Sequence, residues 1–346
     1  MRVALPPDYV VQSNHGKTFR LHYSFLSGED LTIYKALFNA VESHDYNVCF
    51  DRRLDPNRIQ RVFQMVLADN PTLFWVDKGL AAYSSDVRTE VVIRPIFDRD
   101  EVAEMKRQMT RAVESIRRRV EGESRSDFET ALLVHDILTE RITYRNQGCP
   151  EQQCMLGPLL KEWGVCEGIA FTYSYILYVC GVNCTTVYGR LKGERDGHAW
   201  NIVFLDGRGY HVDVTHDLAC TSFKGNHRYF CLTDDEMTDR TWDSPVRCDS
   251  VEYNYLRRRR AVFNSVESMC RHIMKVLSDG GTVLEFRVVG VPWDSVQGRV
   301  YSYLGEICAE YECEYGGDGD YHHVGFRRVR YKGTSRAAGL LRRITT

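Results

Sequence analysis

The sequence lacks any long apolar run. Its most hydrophobic stretch, Ile169 to Cys180, is broken by polar groups and falls short of the ~20 residues needed to cross a bilayer, so no membrane span is expected. A secretory leader is lacking too. Met1-Arg2-Val3-Ala4-Leu5-Pro6-Pro7 offers one positive charge with no apolar stretch behind it, so the chain as given is expected in the cytoplasm unless a leader has been trimmed. Nor is there an excess of charge. With 45 basic against 47 acidic side chains, the net charge of -2 creates no field to gather nucleic acid or an anionic membrane. The one basic block, Arg257 to Arg260, reads as a solvated linker or helix face. Paired Cys-x2-Cys knuckles are absent as well. The 12 cysteines are scattered, without the density of a small disulfide scaffold, and free thiols are the default. Cys149, Cys154, Cys180 and Cys184 come nearest to a zinc set, followed by Cys308, Cys313, His322 and His323. Neither has the usual spacing, so no metal and no cofactor is expected.

What is present is enough for a folded protein: 346 residues, 43% of them hydrophobic, can fill at least one substantial core. Residues 23–70 carry apolar positions at helical spacing, and Asp69-Asn70-Pro71 ends that run because proline disfavours a helical residue before it. Leu73 to Val76 and Thr89 to Ile93 read as strands. Residues 1–97 therefore predict a mainly helical domain with a hairpin. Asp98 with Glu101, and Ser126 with Glu129, each predict a capped helix start. Cys166 to Cys180 predicts a helix buried nearly all round and stopped at Gly181, followed by strands at 184–191, 198–205 and 208–214. A central helix followed by an antiparallel sheet makes residues 98–245 an α+β core. Residues 251–346 alternate helix (265–277), strand (283–289), helix (296–311) and strand (322–331), which predicts a small C-terminal α/β domain.

The chemistry centres on Trp163-Gly164-Val165-Cys166-Glu167-Gly168. A thiol in the first turn of a helix sits at the positive end of the macrodipole, where exposed amides favour the nucleophilic thiolate. A buried helix cysteine is the plain alternative. Further on, Asp206-Gly207 between two apolar runs predicts a two-residue hairpin with Leu205 facing Arg208. That register sets Trp200 opposite Asp213 and His198 opposite Thr215, and makes His198 and Asp213 diagonal neighbours about 7–8 Å apart at Cα. A histidine near a carboxylate, after a helix that opens on cysteine, supplies the three roles of thiol acyl transfer: nucleophile, base and orienter. Asp217 is a second possible orienter, at a position that reads as a turn.

These residues resemble a known family. Gly164-Val165-Cys166-Glu167-Gly168, then His198-Ala199-Trp200-Asn201, then Tyr210-His211-Val212-Asp213-Val214-Thr215 with Asp217 after them, are similar in order and spacing to the transglutaminase-like superfamily, from about Ser126 to Asp217. The phrases 69–75 and 229–237 resemble those of larger bacterial members with extra domains. The resemblance implies a papain-like core and a triad of Cys166, His198 and Asp213. It further implies attack on a peptide or glutamine amide through a thioester that an amine or water resolves, with a protein or peptide as substrate. His216 stands where the family often has tryptophan, and the calcium sites and oxyanion-stabilising tryptophan of animal members cannot be identified. For the oxyanion hole, Cys166 N–H plus Tyr144, Gln147 or Trp163 are candidates, and Trp200 and His211 are candidates for contact with substrate. The alternative is a silent binding or scaffolding protein that kept the fold. An arylamine acetyltransferase lacks a recognisable donor site here, and a peptide-glycan amidase would need zinc knuckles.

Overall fold

A computed structural model describes residues 19–219, 226–281, 283–318 and 321–331. It opens with helix α1 (Leu21–Phe25), α2 (Gly28–Ser43), strand β1 (Asn47–Phe50), α3 (Pro56–Asp69), β2 (Val76–Ser84) and β3 (Thr89–Pro95), with the strands forming an antiparallel sheet in the order β1-β3-β2. The run expected to be helical is therefore interrupted. His44 takes a left-handed backbone at φ 58 and closes α2, and four residues of strand follow before Asp55 and Pro56 start α3. So short a strand leaves the apolar spacing of the flanking helices undisturbed. The strand expected from Leu73 begins only at Val76. Leu73, Phe74 and Trp75 are buried, and the Leu73 amide bonds back to the Asn70 carbonyl in a turn; burial rather than pairing explains that apolar run. Asp69, itself buried, accepts the His22 and Tyr23 amides and the Tyr34 hydroxyl, tying α1 and α2 to the end of α3.

The core follows: α4 (Arg99–Glu123), α5 (Asp127–Arg141), β4 (Thr143–Tyr144), β5 (Trp163–Gly164), α6 (Cys166–Val179), β6 (Cys184–Leu191), β7 (Gly197–Leu205), β8 (Arg208–Val212), α7 (Val214–Ala219), β9 (Phe230–Leu232) and β10 (Arg240–Trp242). Both expected caps form: Asp98 and Glu101 make a capping box on α4, and the Ser126 hydroxyl accepts the Glu129 amide on α5. The sheet is antiparallel throughout in the order β10-β6-β7-β8-β9, and α6 packs on β6 and β7. Ile169, Tyr173, Ile176 and Leu177 are wholly buried on that helix, each contributing about 1.5–3 kcal/mol of transfer free energy. The Asn201 side-chain amide donates to the Ala170 carbonyl at 2.9 Å and so pins β7 to α6. Gly168 permits a close approach rather than an unusual backbone: a Cβ there would lie 2.4 Å from the Gln152 carbonyl and 2.8 Å from that of Cys154.

The last part comprises α8 (Tyr255–Arg258), β11 (Val262–Phe263), α9 (Val266–Ser278), β12 (Leu284–Val289), α10 (Trp293–Ile307), β13 (Cys308–Asp318) and β14 (Tyr321–Tyr331). Its sheet runs β11-β12-β14-β13, with β11 parallel to β12 and the other pairs antiparallel. The helix expected to reach Tyr311 stops at Ile307. Its buried stripe of Val300, Tyr303, Leu304 and Ile307 ends there, and the chain turns extended at Cys308 to pair with β14. One hydrophobic cluster includes Leu37, Ile176 and Phe286, and so reaches from α2 through α6 to β12. Among the described residues, no helix is long and apolar enough to cross a membrane. Met1 to Pro7, where the sequence predicts no secretory leader, lies outside the described residues.

Candidate active site

Cys166 is the first residue of α6, half-buried, preceded by an extended Val165 whose amide donates to the Gln152 carbonyl at 3.0 Å. His198 is the second residue of β7. The hairpin turn forms as expected: Leu205 pairs with Arg208, and Asp206 and Gly207 both take positive φ, 49° and 74°, as a type I′ turn requires. Beyond the pair Asn201–Val212 the ladder stops, so Trp200 does not face Asp213 and His198 does not face Thr215. The reason is a helix cap. Asp213 Oδ1 accepts the His216 amide at 3.0 Å and starts α7, which carries Thr215 out of the sheet.

The second carboxylate oxygen of Asp213 remains free to turn back toward β7. Asp213 Oδ2 lies 2.7 Å from His198 Nε2, and Cys166 is near enough to His198 to favour the charged ring. With Nε2 held by Asp213, Nδ1 is the ring nitrogen left for the sulfur. Residues 114–214 match the model of the Transglutaminase-like superfamily. The matched segment contains Cys166, His198 and Asp213 and spans less than a third of the chain. No curated protein matches the chain. Similar solved structures include one described as a TGase, 12% identical over 49% of this chain and 50% of that one, with a TM-score of 0.29. Another is the calcium-bound LapG of Legionella pneumophila, 12% identical over 43% of this chain and 98% of that one, with a TM-score of 0.26. The chain thus spans about half the length of the TGase.

Around this centre the structure adds two groups, His216 and Arg240, to which the sequence assigned no role in the site. His216 Nδ1 lies 2.7 Å from Asp213 Oδ2 and 3.2 Å from His198 Nε2. Arg240, on β10 and almost wholly buried, directs one terminal nitrogen at the same Oδ2 and bonds Asp239 through Nε and the other. Its guanidinium also lies 5.1 Å from the Trp200 ring and 4.7 Å from that of Tyr229. Burial opposes ionisation of Asp213, but the charges of His198, His216 and Arg240 together hold it well below the usual carboxylate range. Burial likewise disfavours the His198 cation, yet the charge and hydrogen bond of Asp213, helped by Cys166, push its value up to about 10. At neutral pH His198 is therefore an imidazolium beside the Cys166 sulfur.

The weaker candidates separate. Trp200 stacks on His198 at 5.7 Å between ring centres, but it is buried and its N–H donates to His211 Nδ1 at 3.0 Å. His211 is fully buried, with Nε2 2.9 Å from Asp234 Oδ1, so both rings are engaged within the fold. Tyr144 is 47% exposed, and its phenol is pushed up by burial and by the nearby charge of Cys166. The Gln147 backbone amide is engaged by Gln152 Oε1, and Trp163 lies under the Lys161 ammonium at 5.7 Å. Asp217 is a buried helix residue rather than a turn: its carboxylate takes His135 Nε2 and the Tyr229 amide.

Gln152 went unnoticed in the sequence and has no local signal. Buried between loop and helix, it accepts the Gln147 and Val165 amides and donates to Asn146, fixing the segment in front of Cys166. Glu167 follows the thiol and is held by the Tyr188 hydroxyl at 3.0 Å and Lys78 at 3.2 Å. It lines a cavity of about 320 Å³ together with Asp77, Lys78, Arg94 and Phe171, and that lining does not include Cys166, His198 or Asp213.

Proposed function

We propose that this chain is a cysteine-dependent acyl-transfer enzyme that attacks a peptide or glutamine amide. The observation that carries the reading is His198, which sits near the Cys166 sulfur and is bonded to a buried, ionised Asp213. The sulfur, facing an imidazolium, adds to the carbonyl carbon. The oxyanion meets the Cys166 amide, which as the first N–H of a helix has no intrahelical acceptor, and Tyr144, within electrostatic reach of Cys166, adds a second donor. Collapse breaks the C–N bond, with His198 Nδ1 giving its proton to the departing amine and leaving a thioester on Cys166. A primary amine or water then adds to the thioester, loses a proton to His198 and expels the thiolate. Asp213 stays ionised throughout and orients the ring; His216 and Arg240 position that carboxylate.

The test is a set of glutamine-containing peptides incubated with and without a primary amine, and followed by mass spectrometry. Amine incorporation, ammonia release and chain cleavage give three different products, each of which must vanish in Cys166→Ala. No product with any peptide, together with a Cys166 that alkylates no faster than the other thiols, would instead indicate a binding protein that has kept the fold without turnover.

A further inference from the structure

A second cluster of chemistry-bearing side chains lies one helical turn further along α7, around Asp217 and outside the proposed triad. His135 and Asp136 come from α5, His227 from the segment before β9. His135 Nδ1 and His227 Nε2 converge on one atom, Asp136 Oδ1, at 3.1 Å and 2.8 Å. The three donor atoms lie within 4.8 Å of one another. Neighbouring donors of a tetrahedral zinc ion, with bonds near 2.0–2.1 Å, are about 3.3 Å apart, so small shifts would admit an ion among them.

The surroundings carry the case further than the triplet does. A metal-bound histidine is usually held by a carboxylate at its other ring nitrogen. Both histidines are. His135 Nε2 lies 3.0 Å from Asp217 Oδ2, and Asp217 is fixed in turn by the Tyr229 amide. His227 Nδ1 lies 2.8 Å from Glu285 Oε2, whose other oxygen accepts the His227 amide at 3.2 Å. His227 is further clamped by stacking on Tyr255 at 4.0 Å. His135 and Asp217 are wholly buried, whereas the Asp136 side chain is 34% exposed, which gives an ion an entry path and room for a water ligand. Three carboxylates, Asp136, Asp217 and Glu285, gather around the two imidazoles.

The other two candidate triplets lack these features. In His198, Asp213 and His216 the Arg240 guanidinium already occupies the shared oxygen. In His211, Asp234 and Cys248 the Trp200 N–H takes His211 Nδ1.

We infer that His135, Asp136 and His227 form a binding site for a divalent transition cation of the zinc type, with Asp217 and Glu285 as the carboxylates that orient the two histidines. Two nitrogens and one oxygen suit zinc over calcium or magnesium. The ion would join α5 to the segment before β9 and, through Glu285, to β12, and its role there is structural.

Cobalt titration of the chelator-treated full chain, followed by absorption spectroscopy, tests the site. One cobalt ion per chain is expected, with ligand-field bands and no sulfur-to-metal charge-transfer band, displaced by zinc. Asp136→Asn, a near-isosteric change at a partly exposed position, should abolish binding, and Glu285→Gln should weaken it about 10–100-fold. His216→Ala should leave it intact. Zinc should raise the melting temperature of the parent chain and not that of Asp136→Asn. The inference is overturned by no saturable binding, by a thiolate charge-transfer band, or by binding that survives both Asp136→Asn and His227→Gln in variants whose circular dichroism is native. These readouts do not depend on turnover, so they stand or fall separately from the acyl-transfer reading.

Discussion

Two histidine–carboxylate clusters hang on α7 one helical turn apart, at Asp213 and at Asp217, and they differ in what else reaches the carboxylate. Asp213 meets two histidines and a buried arginine, and its histidine faces a thiol. Asp217 meets one histidine and a backbone amide, within a group that adds His227 and the carboxylates of Asp136 and Glu285. The same residue types thus produce an acid–base pair where a buried arginine and two imidazoles share the acid. They produce a cation-seeking cage where acids outnumber the rings.

The largest effect should come from the thiol. Cys166→Ala is expected to reduce any product formation at least about 10³-fold, measured by mass spectrometry of a peptide substrate. Iodoacetamide mapping at mildly acidic pH should label Cys166 first and lose that preference in His198→Ala. Burial pushes Cys154 up to about 12 and Cys180 and Cys270 up to about 11, which keeps those thiols protonated and slow. Next, Asp213→Asn should lower kcat/KM by about 10²–10⁴-fold, whereas Asp217→Asn should lower it less than about tenfold while costing about 1–3 kcal/mol in urea unfolding. Equal kinetic losses would erase the distinction between the clusters.

Arg240→Gln sharpens the comparison from the other side. It strands Asp213 and Asp239 without their cation, and a loss of about 3–5 kcal/mol is expected in urea unfolding. With that positive charge removed, the alkaline limb of the pH–rate profile should move upward, because the His198 imidazolium gains a less neutralised partner. In the parent chain His198 rises from 6.5 to about 10 on folding, so its contribution to stability is complete below about pH 6.5 and is lost as pH climbs through about 10. Asp213 behaves in the opposite sense: its contribution is present above 3.8 and is lost as pH falls toward its lower folded value. Urea unfolding of the parent and His198→Gln at several pH values isolates the first term as a gap that narrows with alkalinity. Smallest of all, Tyr144→Phe should lower kcat by about tenfold or less, with KM unchanged.

How much of this was visible in the sequence follows from how local each signal is. The start of α6 at Cys166 and the Asp206-Gly207 turn were legible because caps and turns are written in adjacent residues. The contact between His198 and Asp213 was reached from a register that runs too far: the strand ends at Val212, and the carboxylate reaches the ring because it caps α7. Arg240 was invisible, since nothing near it in the chain marks an arginine that will be buried beneath Asp213. The short strand β1 and the change from α10 to β13 were hidden in apolar patterns that serve either conformation until a partner strand chooses. Gln152 acts mainly through loop and backbone contacts, which side-chain patterns do not encode.

The double duty of Asp213 has a consequence for observing this protein without a substrate. One oxygen holds the amide of His216 while the other holds His198, so that single amide reports on the state of the carboxylate. Its rate of exchange with deuterated solvent should follow the seating of the whole arrangement. Protection at His216 would then read out, in an otherwise silent protein, whether the proposed triad is assembled.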